Sequence, residues 1–104
     1  MRYMVIETYL QGPGPVYARA AAQGRMLPPG LTYLDSWIDA HSLDRCFQLM
    51  ETEDPTLFDE WTGRWSDLVA FEIVPVIGSA AAAARGAGRT YASRTGARQL
   101  QQRP

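Results

Sequence analysis

The sequence predicts an α+β fold, in which two helices cover one face of a four-stranded antiparallel sheet. Three patterns predict it: β-branched and aromatic segments at 2–10 and 69–77, two adjoining strands around a polar turn at 41–44, and one helix-compatible segment on either side of that pair. Together they give the order β-α-β-β-α-β, which is the split βαβ arrangement of a ferredoxin-like domain.

A turn rich in glycine and proline separates the first strand, residues 2–10, from the first helix. Pro15 suits the first helical position, because its φ is already helical and its missing N–H is not needed there. We expect this helix to run from Pro15 to about Met26. Its apolar stripe would consist of Val16, Ala20, Gly24 and Leu27.

The second half of the domain begins with a β-hairpin. Its strands are predicted at 31–40 and 45–51, and the turn between them is His41-Ser42-Leu43-Asp44. Asp54-Pro55 then starts the second helix, because a residue before proline favours the extended backbone that a helix N-cap needs. The last strand is predicted at 69–77. One apolar helix face consists of Leu57, Trp61, Trp65 and Leu68.

Charge divides the chain into a domain at 1–84 and a basic tail at 85–104. The domain holds all eleven acidic residues and five of the ten arginines, whereas the tail holds the other five arginines and no acid. We expect the tail to be disordered, since it has few apolar residues. An acidic domain argues against general nucleic-acid binding. The N-terminal residues lack a signal-peptide pattern and no segment is apolar enough to span a membrane, so a cytoplasmic location is expected.

Side-chain alternation sorts the strand residues into two sets. One set is almost purely apolar, and we expect it to carry the helices. It comprises Met4, Ile6, Leu34, Ile38, Phe47, Leu49, Phe71 and Ile73. The other set mixes aromatic, aliphatic and acidic residues. It comprises Tyr3, Val5, Glu7, Tyr9, Tyr33, Asp35, Trp37, Cys46, Gln48, Met50, Glu72, Val74 and Val76.

The mixed set is too apolar to face water and too polar to be fully buried. A second copy of the chain, related by a two-fold axis, would reconcile these properties if the two sheets enclosed a chamber. The sequence therefore predicts a homodimer through this sheet face, with a chamber for a small molecule.

The residues also resemble a small bacterial family that is classified as a domain of unknown function. The resemblance covers residues 1 to about 80, and it rests on Glu7, the turn Arg25-Met26-Leu27-Pro28, Leu34-Asp35-Ser36-Trp37, the run 45–51 (RCFQLME) and the Trp-rich segment 61–72. It implies a protomer of the dimeric α/β-barrel superfamily and dimerisation through the sheet, but no established reaction. That superfamily includes cofactor-free monooxygenases, isomerases, haem enzymes and regulatory modules, so fold alone does not select an activity.

Three carboxylates are the candidate catalytic groups: Glu7, Asp35 and Glu72. If they share a face with aromatic residues, desolvation and mutual repulsion would raise the pKa of at least one, which could then act as a general base. Gln48 and Tyr33 would donate hydrogen bonds to a ligand. The alternative is that the carboxylates pair with arginine or hydrogen-bond across the dimer contact.

The remaining candidates have simpler interpretations. Tyr3, Tyr9, Tyr33 and Trp37 either line a ligand pocket or fill the dimer interface. The helical spacing of Trp61 and Trp65 indicates core packing. His41 is expected to be a solvated turn residue and Cys46 a small buried side chain. One histidine and one cysteine cannot form the common metal sites, and no phosphate-binding motif is present, so no cofactor or metal is expected.

Three classes of function stay open at this point. The first is a small-molecule-binding dimer, and the second is a cofactor-free isomerase or monooxygenase acting on a small aromatic or enolisable substrate. The third is a structural or interaction module whose basic tail holds an acidic partner. The first requires a chamber that side chains do not fill, and the second requires at least one of the carboxylates to lie at an open cavity without an arginine partner.

Overall fold

The computed structural model describes residues 1–86 and confirms the predicted α+β, ferredoxin-like fold. The sheet is antiparallel throughout, with the strand order β2-β3-β1-β4. The elements are β1 Arg2–Tyr9, α1 Pro13–Gln23, β2 Thr32–Ile38, β3 Arg45–Glu51, α2 Leu57–Gly63, β4 Val69–Val76 and α3 Ser79–Gly86.

The bounds of both main helices differ from those that the sequence predicts: α1 starts and ends earlier, and α2 ends before its apolar face does. Helix α1 begins at Pro13 and ends at Gln23, because Gly24 leaves the helical region with a φ of 69°. Helix α2 ends at Gly63, but tight backbone hydrogen bonds continue to Leu68, whose N–H donates to the carbonyl of Trp65 at 2.9 Å. These turns keep the apolar face of the segment against the sheet.

The N-cap of α2 is Thr56, without a side-chain cap hydrogen bond, and not Asp54 as predicted; Asp54 lies two residues earlier, in the turn that leads into the helix. Its carboxylate accepts hydrogen bonds from the backbone N–H of Thr56 at 3.1 Å and from the Thr56 hydroxyl at 2.6 Å. The Asp54 side chain therefore satisfies donors of the turn that leads into α2, near the helix N-terminus, where negative charge is favourable.

The core lies between the sheet and α1 and α2. Val5 and Met50 are fully buried in the two central strands, and Trp61 of α2 is 2% exposed. Phe58 packs edge-on against Tyr3 with ring centroids 5.0 Å apart, and Trp61 lies 5.3 Å from Phe71. These contacts identify the face of the sheet that the helices cover.

This arrangement corrects the predicted assignment of the two faces. In β1 and β3 the mixed set faces the helices, and the apolar set lies on the opposite, open face, where Met4 pairs with Leu49 and Ile6 with Phe47. Strand β4 follows the prediction, with Phe71 and Ile73 on the helix side, and so does the end of β2, where Ile38 lies on the helix side and Trp37 on the open side. A second copy therefore does not cover the mixed set of the central strands, because the helices already cover it.

A β-bulge divides the residues of β2 between the two faces. The pairing shifts between Tyr33 and Asp35, so that Tyr33 pairs with Met50 on the helix side while Asp35 pairs with Leu49 on the open side. Leu34 is the extra residue. The Tyr33 hydroxyl and the Ser36 hydroxyl are hydrogen-bonded at 2.7 Å on the helix side. A sequence pattern of strict alternation cannot detect such an insertion.

Helix α3 follows the sheet and includes Arg85 and Gly86, which the sequence assigns to the tail. All of its side chains before Gly86 are exposed. The prediction of disorder for the rest of the tail falls on 87–104, outside the described residues. Within residues 1–86, every helix is too short or too polar to cross a bilayer.

Candidate functional site

A cavity of about 420 Å³ lies between the helix-covered face of the sheet and α1. Strands β1, β2 and β3 form its floor, α1 forms one wall, and the Trp-bearing segment after Leu57 forms another. It is lined by Glu7, Tyr9, Val16, Tyr17, Ala20, Gly24, Arg25, Ser36, Trp37, Ile38, Cys46, Gln48, Trp61 and Trp65.

A buried pair of polar side chains lies on the floor of this cavity. Gln48 of β3 is opposite Val5 of β1, so it is diagonal to Glu7 on the same face. Its amide Nε2 donates a hydrogen bond to Glu7 Oε2 at 2.5 Å. Glu7 is 4% exposed and Gln48 is 7% exposed. The fold therefore holds a carboxyl group and an amide together beneath aromatic residues.

Burial changes the acidity of Glu7. Desolvation raises its pKa from 4.5 to about 7, although the hydrogen bond from Gln48 and the positive charge of Arg25 oppose this shift. Among residues 1–86, no arginine forms a salt bridge with this carboxylate. Glu7 is consequently divided between its charged and neutral forms near neutral pH, and it can accept or donate a proton at the cavity.

Tyr9 and Cys46 lie beside Glu7 and are held in their neutral forms. Burial raises the pKa of the Cys46 thiol, and the negative charge of Glu7 raises it further. Burial also raises the pKa of the Tyr9 phenol, and Cys46 and Glu7 raise it further. Cys46 is 7% exposed, which confirms the prediction of a small buried side chain. A neutral thiol is a poor nucleophile, so Cys46 lines the cavity without the properties of a catalytic nucleophile.

Two indoles fix the loop that follows α1. The Nε1–H groups of Trp61 and Trp65 both donate to the backbone carbonyl of Arg25, each at 3.0 Å. The Arg25 guanidinium stacks on the ring of Tyr33 at 3.6 Å from its centroid. Core packing of both tryptophans is confirmed by exposures of 2% and 6%. They also border the cavity, which their helical spacing does not reveal.

An ion pair on the surface ties α1 to the turn after α2. Both terminal nitrogens of Arg19 donate to the carboxylate of Asp67, at 2.8 and 2.7 Å, and Nη1 also reaches the carbonyl of Arg64. The Arg19 guanidinium lies 5.5 Å from the ring of Trp65. This contact holds two walls of the cavity together from outside.

The structure brings together only part of the predicted site. Glu7, Gln48 and Trp37 line the cavity, and Tyr33 lies next to it beneath Arg25. Tyr3 packs instead against Phe58 in the core. The predicted convergence of three carboxylates is wrong, because two of them lie on the open face. The exposed Asp35 carboxylate accepts a hydrogen bond from the backbone N–H of Ser36. Glu72 is also exposed, and it pairs with Ile6 in the sheet register.

Sequence reasoning missed several residues of the cavity, among them Arg25, Ser36 and Ala20. Arg25 comes from a loop, for which periodicity gives no direction, and Ser36 follows the bulge. Ala20 was assigned to the apolar stripe of α1, and its small side chain leaves space above the sheet. His41 is exposed in its turn, as predicted, and its backbone N–H donates a hydrogen bond to Asp39 Oδ1 at 2.9 Å.

The fold and this cavity define a class: a small ferredoxin-like α+β protein with a polar-floored cavity between its helices and its sheet. Residues 1–89 match the family described as Domain of unknown function (DUF3303), and the chain belongs to that family. No curated protein and no solved structure matches the chain.

Proposed function

We propose that this protein binds a small organic molecule in the cavity between its helices and its sheet. The observation that carries the proposal is the buried Glu7–Gln48 pair on the floor of a cavity of about 420 Å³. Small-molecule sites are typically apolar concavities of this size with a few oriented polar groups. Here the apolar walls come from Val16, Ile38 and the tryptophans.

A cavity-filling substitution tests this proposal. Bicyclic aromatic probes such as β-naphthol and carbostyril should bind with a Kd of roughly 1 mM or tighter. Their binding should shift the amide resonances of residues around Glu7. Ala20→Trp would fill the cavity from α1 and should abolish binding. Ala22→Trp is the matched control, because Ala22 is exposed on the same helix and should leave binding unchanged.

Circular dichroism would establish that both variants are folded. Binding that survives Ala20→Trp, or shifts confined to residues away from the cavity, would contradict the proposal.

Proton transfer on the bound molecule is a second candidate function, and the pKa of about 7 at Glu7 favours it. The Glu7 carboxylate would remove a proton from a carbon next to a carbonyl, and the resulting carboxylic acid would return the proton to another atom of the same molecule. Atoms and electrons balance without a redox partner, so this is an isomerase reaction. No comparable observation favours a monooxygenase.

Deuterium exchange would test this second candidate. The protein should accelerate exchange at the carbon next to the carbonyl of β-tetralone in heavy water, as followed by NMR. Glu7→Gln should remove the acceleration and keep the hydrogen-bonding shape of the site. If deuterium exchange is no faster with wild-type protein or Glu7→Gln than in buffer alone, proton transfer is ruled out and only the binding proposal remains.

We also propose that the open face of the sheet joins two copies of the chain, as in dimeric α/β-barrel proteins. Its apolar residues adjoin one another across three strands: Met4, Ile6, Phe47, Leu49, Val74 and Val76. These side chains are half-buried by one another, and an apolar surface of this kind that no helix covers is typical of a contact surface. Each protomer keeps its own cavity, since the cavity lies on the other side of the sheet.

Sedimentation at micromolar concentration would test the dimer. Phe47→Glu should convert it to a folded monomer, because it places a charge in the middle of the patch. Leu10→Glu is a suitable control, as Leu10 is 56% exposed beyond the end of β1. A wild-type monomer would contradict this proposal and leave the cavity proposal intact. We further propose a cytoplasmic location, because a reducing compartment keeps the Cys46 thiol free. Cell fractionation would test this location.

A further inference from the structure

The positive charge of Arg25 has no acidic partner at the cavity. Arg25 and Glu7 are the two charged residues that line it. In the part of the chain that the structure describes, Arg25 forms no salt bridge, and the hydrogen bonds donated by arginine side chains come from Arg19 and Arg64. A guanidinium carries five N–H donors. Those of Arg25 are therefore available to water or to a bound molecule.

Three side-chain hydrogen bonds fix the loop that carries Arg25. Its backbone carbonyl accepts from the indoles of Trp61 and Trp65, each at 3.0 Å, and the carbonyl of Met26 accepts from Nη1 of Arg64 at 2.6 Å. Met26 has a φ of 59°, in the left-handed region that residues other than glycine rarely adopt. Such a conformation persists only where the surrounding contacts hold it. The loop is thus a fixed support for the guanidinium.

The Arg25 guanidinium is also held in orientation. It stacks on the ring of Tyr33 at 3.6 Å from the centroid, which covers one of its faces and leaves its edge N–H groups free. The Tyr33 hydroxyl is hydrogen-bonded to Ser36, which lines the cavity. Burial raises the pKa of Glu7 and of Cys46, and the charge of Arg25 opposes both shifts. Because Arg25 is itself exposed, its charge lies at the mouth of the cavity, within electrostatic reach of the floor.

A carboxylate matches the free edge of this guanidinium. Two N–H groups of an arginine pair with the two oxygens of a carboxylate in one plane. One guanidinium balances one negative charge, which favours a carboxylate over a phosphate group. Below its pKa of about 7 Glu7 is mainly neutral, so it does not repel an anion there.

The walls of the cavity suit a ring system attached to that carboxylate. Trp61 and Trp65 form one side, and Val16 adds aliphatic surface from α1. Flat aromatic rings bury a large apolar area against such side chains. The cavity thus combines apolar walls with a single cation at its mouth.

From these contacts we propose that the cavity binds aromatic carboxylic acids, with the carboxylate on Arg25 and the ring system between α1 and the sheet. This inference rests on the proposed binding function and specifies its ligand class. It assigns Arg25 as the residue that determines specificity.

The probes β-naphthoate and β-naphthamide form a matched pair for this inference. They share the bicyclic ring, but a neutral amide in one replaces the carboxylate of the other. At about pH 6, where Glu7 is mainly neutral, wild-type protein should bind β-naphthoate about tenfold more tightly than β-naphthamide, because charge-assisted hydrogen bonds are the stronger ones. In Arg25→Met, and in Arg25→Gln as a second neutral variant, the affinity ratio should fall to about one.

Arg2→Met is the matched control. It removes the same charge from an exposed position of β1 outside the cavity, so the tenfold ratio should remain. Circular dichroism would establish that each variant is folded.

The outcomes separate this inference from the binding function. If wild-type protein binds the amide as tightly as the carboxylate, with resonance shifts around Glu7, the carboxylate inference alone is overturned. A preference for β-naphthoate that persists in folded Arg25→Met or Arg25→Gln would also overturn it, as would loss of the preference in Arg2→Met. Failure of β-naphthol, β-naphthoate and β-naphthamide to bind would overturn both proposals.

Discussion

The helix-covered face and the open face of the sheet differ in where their polar residues lie. On the helix-covered face, Glu7 and Gln48 are buried in the middle and bonded to each other. On the open face, the middle is apolar, and Asp35 and Glu72 lie on the two outer strands. A buried polar pair beside a cavity suits ligand binding, whereas an apolar centre with a charged rim suits a protein contact.

Neighbouring residues of β1 offer the strongest test of this comparison. Val5 is fully buried on the helix side, and Ile6 points to the open side. Val5→Asp would bury an unpaired charge and should cost about 4 kcal/mol or more, which is most of the stability of a small domain. Ile6→Asp should keep the fold and weaken only the dimer. Circular dichroism and sedimentation of the two variants measure these effects, and the reverse pattern would exchange the roles of the faces.

The pH dependence of stability sharpens the contrast by isolating Glu7. Its carboxyl titrates near 4.5 when unfolded and at about 7 when folded. Between these values the folded chain holds a proton that the unfolded chain has released, so the free energy of unfolding falls as pH rises through 7. The loss is up to about 3 kcal/mol.

Glu7→Gln should remove most of this slope and be the more stable protein at about pH 8. Urea unfolding at about pH 5 and about pH 8 measures it. Asp39 and Asp67 have lowered pKa values, so their contributions are lost only at more acidic pH. A slope equal in wild type and variant would show that Glu7 is not the group responsible.

The shared carbonyl of Arg25 predicts a smaller effect. Trp61→Phe removes one of its two indole donors and some packing, and should cost about 1–2 kcal/mol. Because Trp65 donates to the same carbonyl, Trp61→Phe should cost more when Trp65 is already Phe. A double-mutant cycle measured by urea unfolding gives this coupling. Strictly additive losses would show that the two bonds act independently.

The smallest effect is expected at the surface ion pair of Arg19 and Asp67. Arg19→Met should lower the melting temperature only slightly, and the difference should shrink in high salt, because exposed pairs are screened. Arg2→Met is the comparison, since its nitrogen is 3.8 Å from Glu51 and makes a weaker contact. A larger loss for Arg2→Met would contradict the role of Arg19 in joining the cavity walls.

The sequence was sufficient to predict the order of the elements, because proline, turn residues and periodicity act locally. It was insufficient to predict which face the helices cover. Met4, Ile6, Phe47 and Leu49 are more apolar than the residues that lie under the helices, so hydrophobicity alone favours the wrong face. The core instead accommodates Glu7 by bonding it to Gln48.

The candidate site was predicted in part for the same reason. Glu7 and Gln48 stand out as polar residues within strands, and antiparallel pairing brings them together. Strict alternation puts Asp35 on the same face of the sheet as Tyr33, but the bulge after Tyr33 moves Asp35 to the opposite face. No local sequence pattern predicts this bulge. Arg25 enters through a loop whose position depends on two tryptophans that come more than thirty residues later.

The placement of the three tryptophans gives the protein a built-in optical signal. Trp61 and Trp65 are shielded from solvent at the cavity, whereas Trp37 is 52% exposed. Trp61 and Trp65 should therefore emit at shorter wavelengths (the blue component) than Trp37 (the red component). A soluble quencher should reach Trp37 first. A guest in the cavity would alter the blue component and, because Trp37 also borders the cavity, the red component too, whereas pairing through the open face, where Trp37 lies opposite Phe47, would change the red component alone.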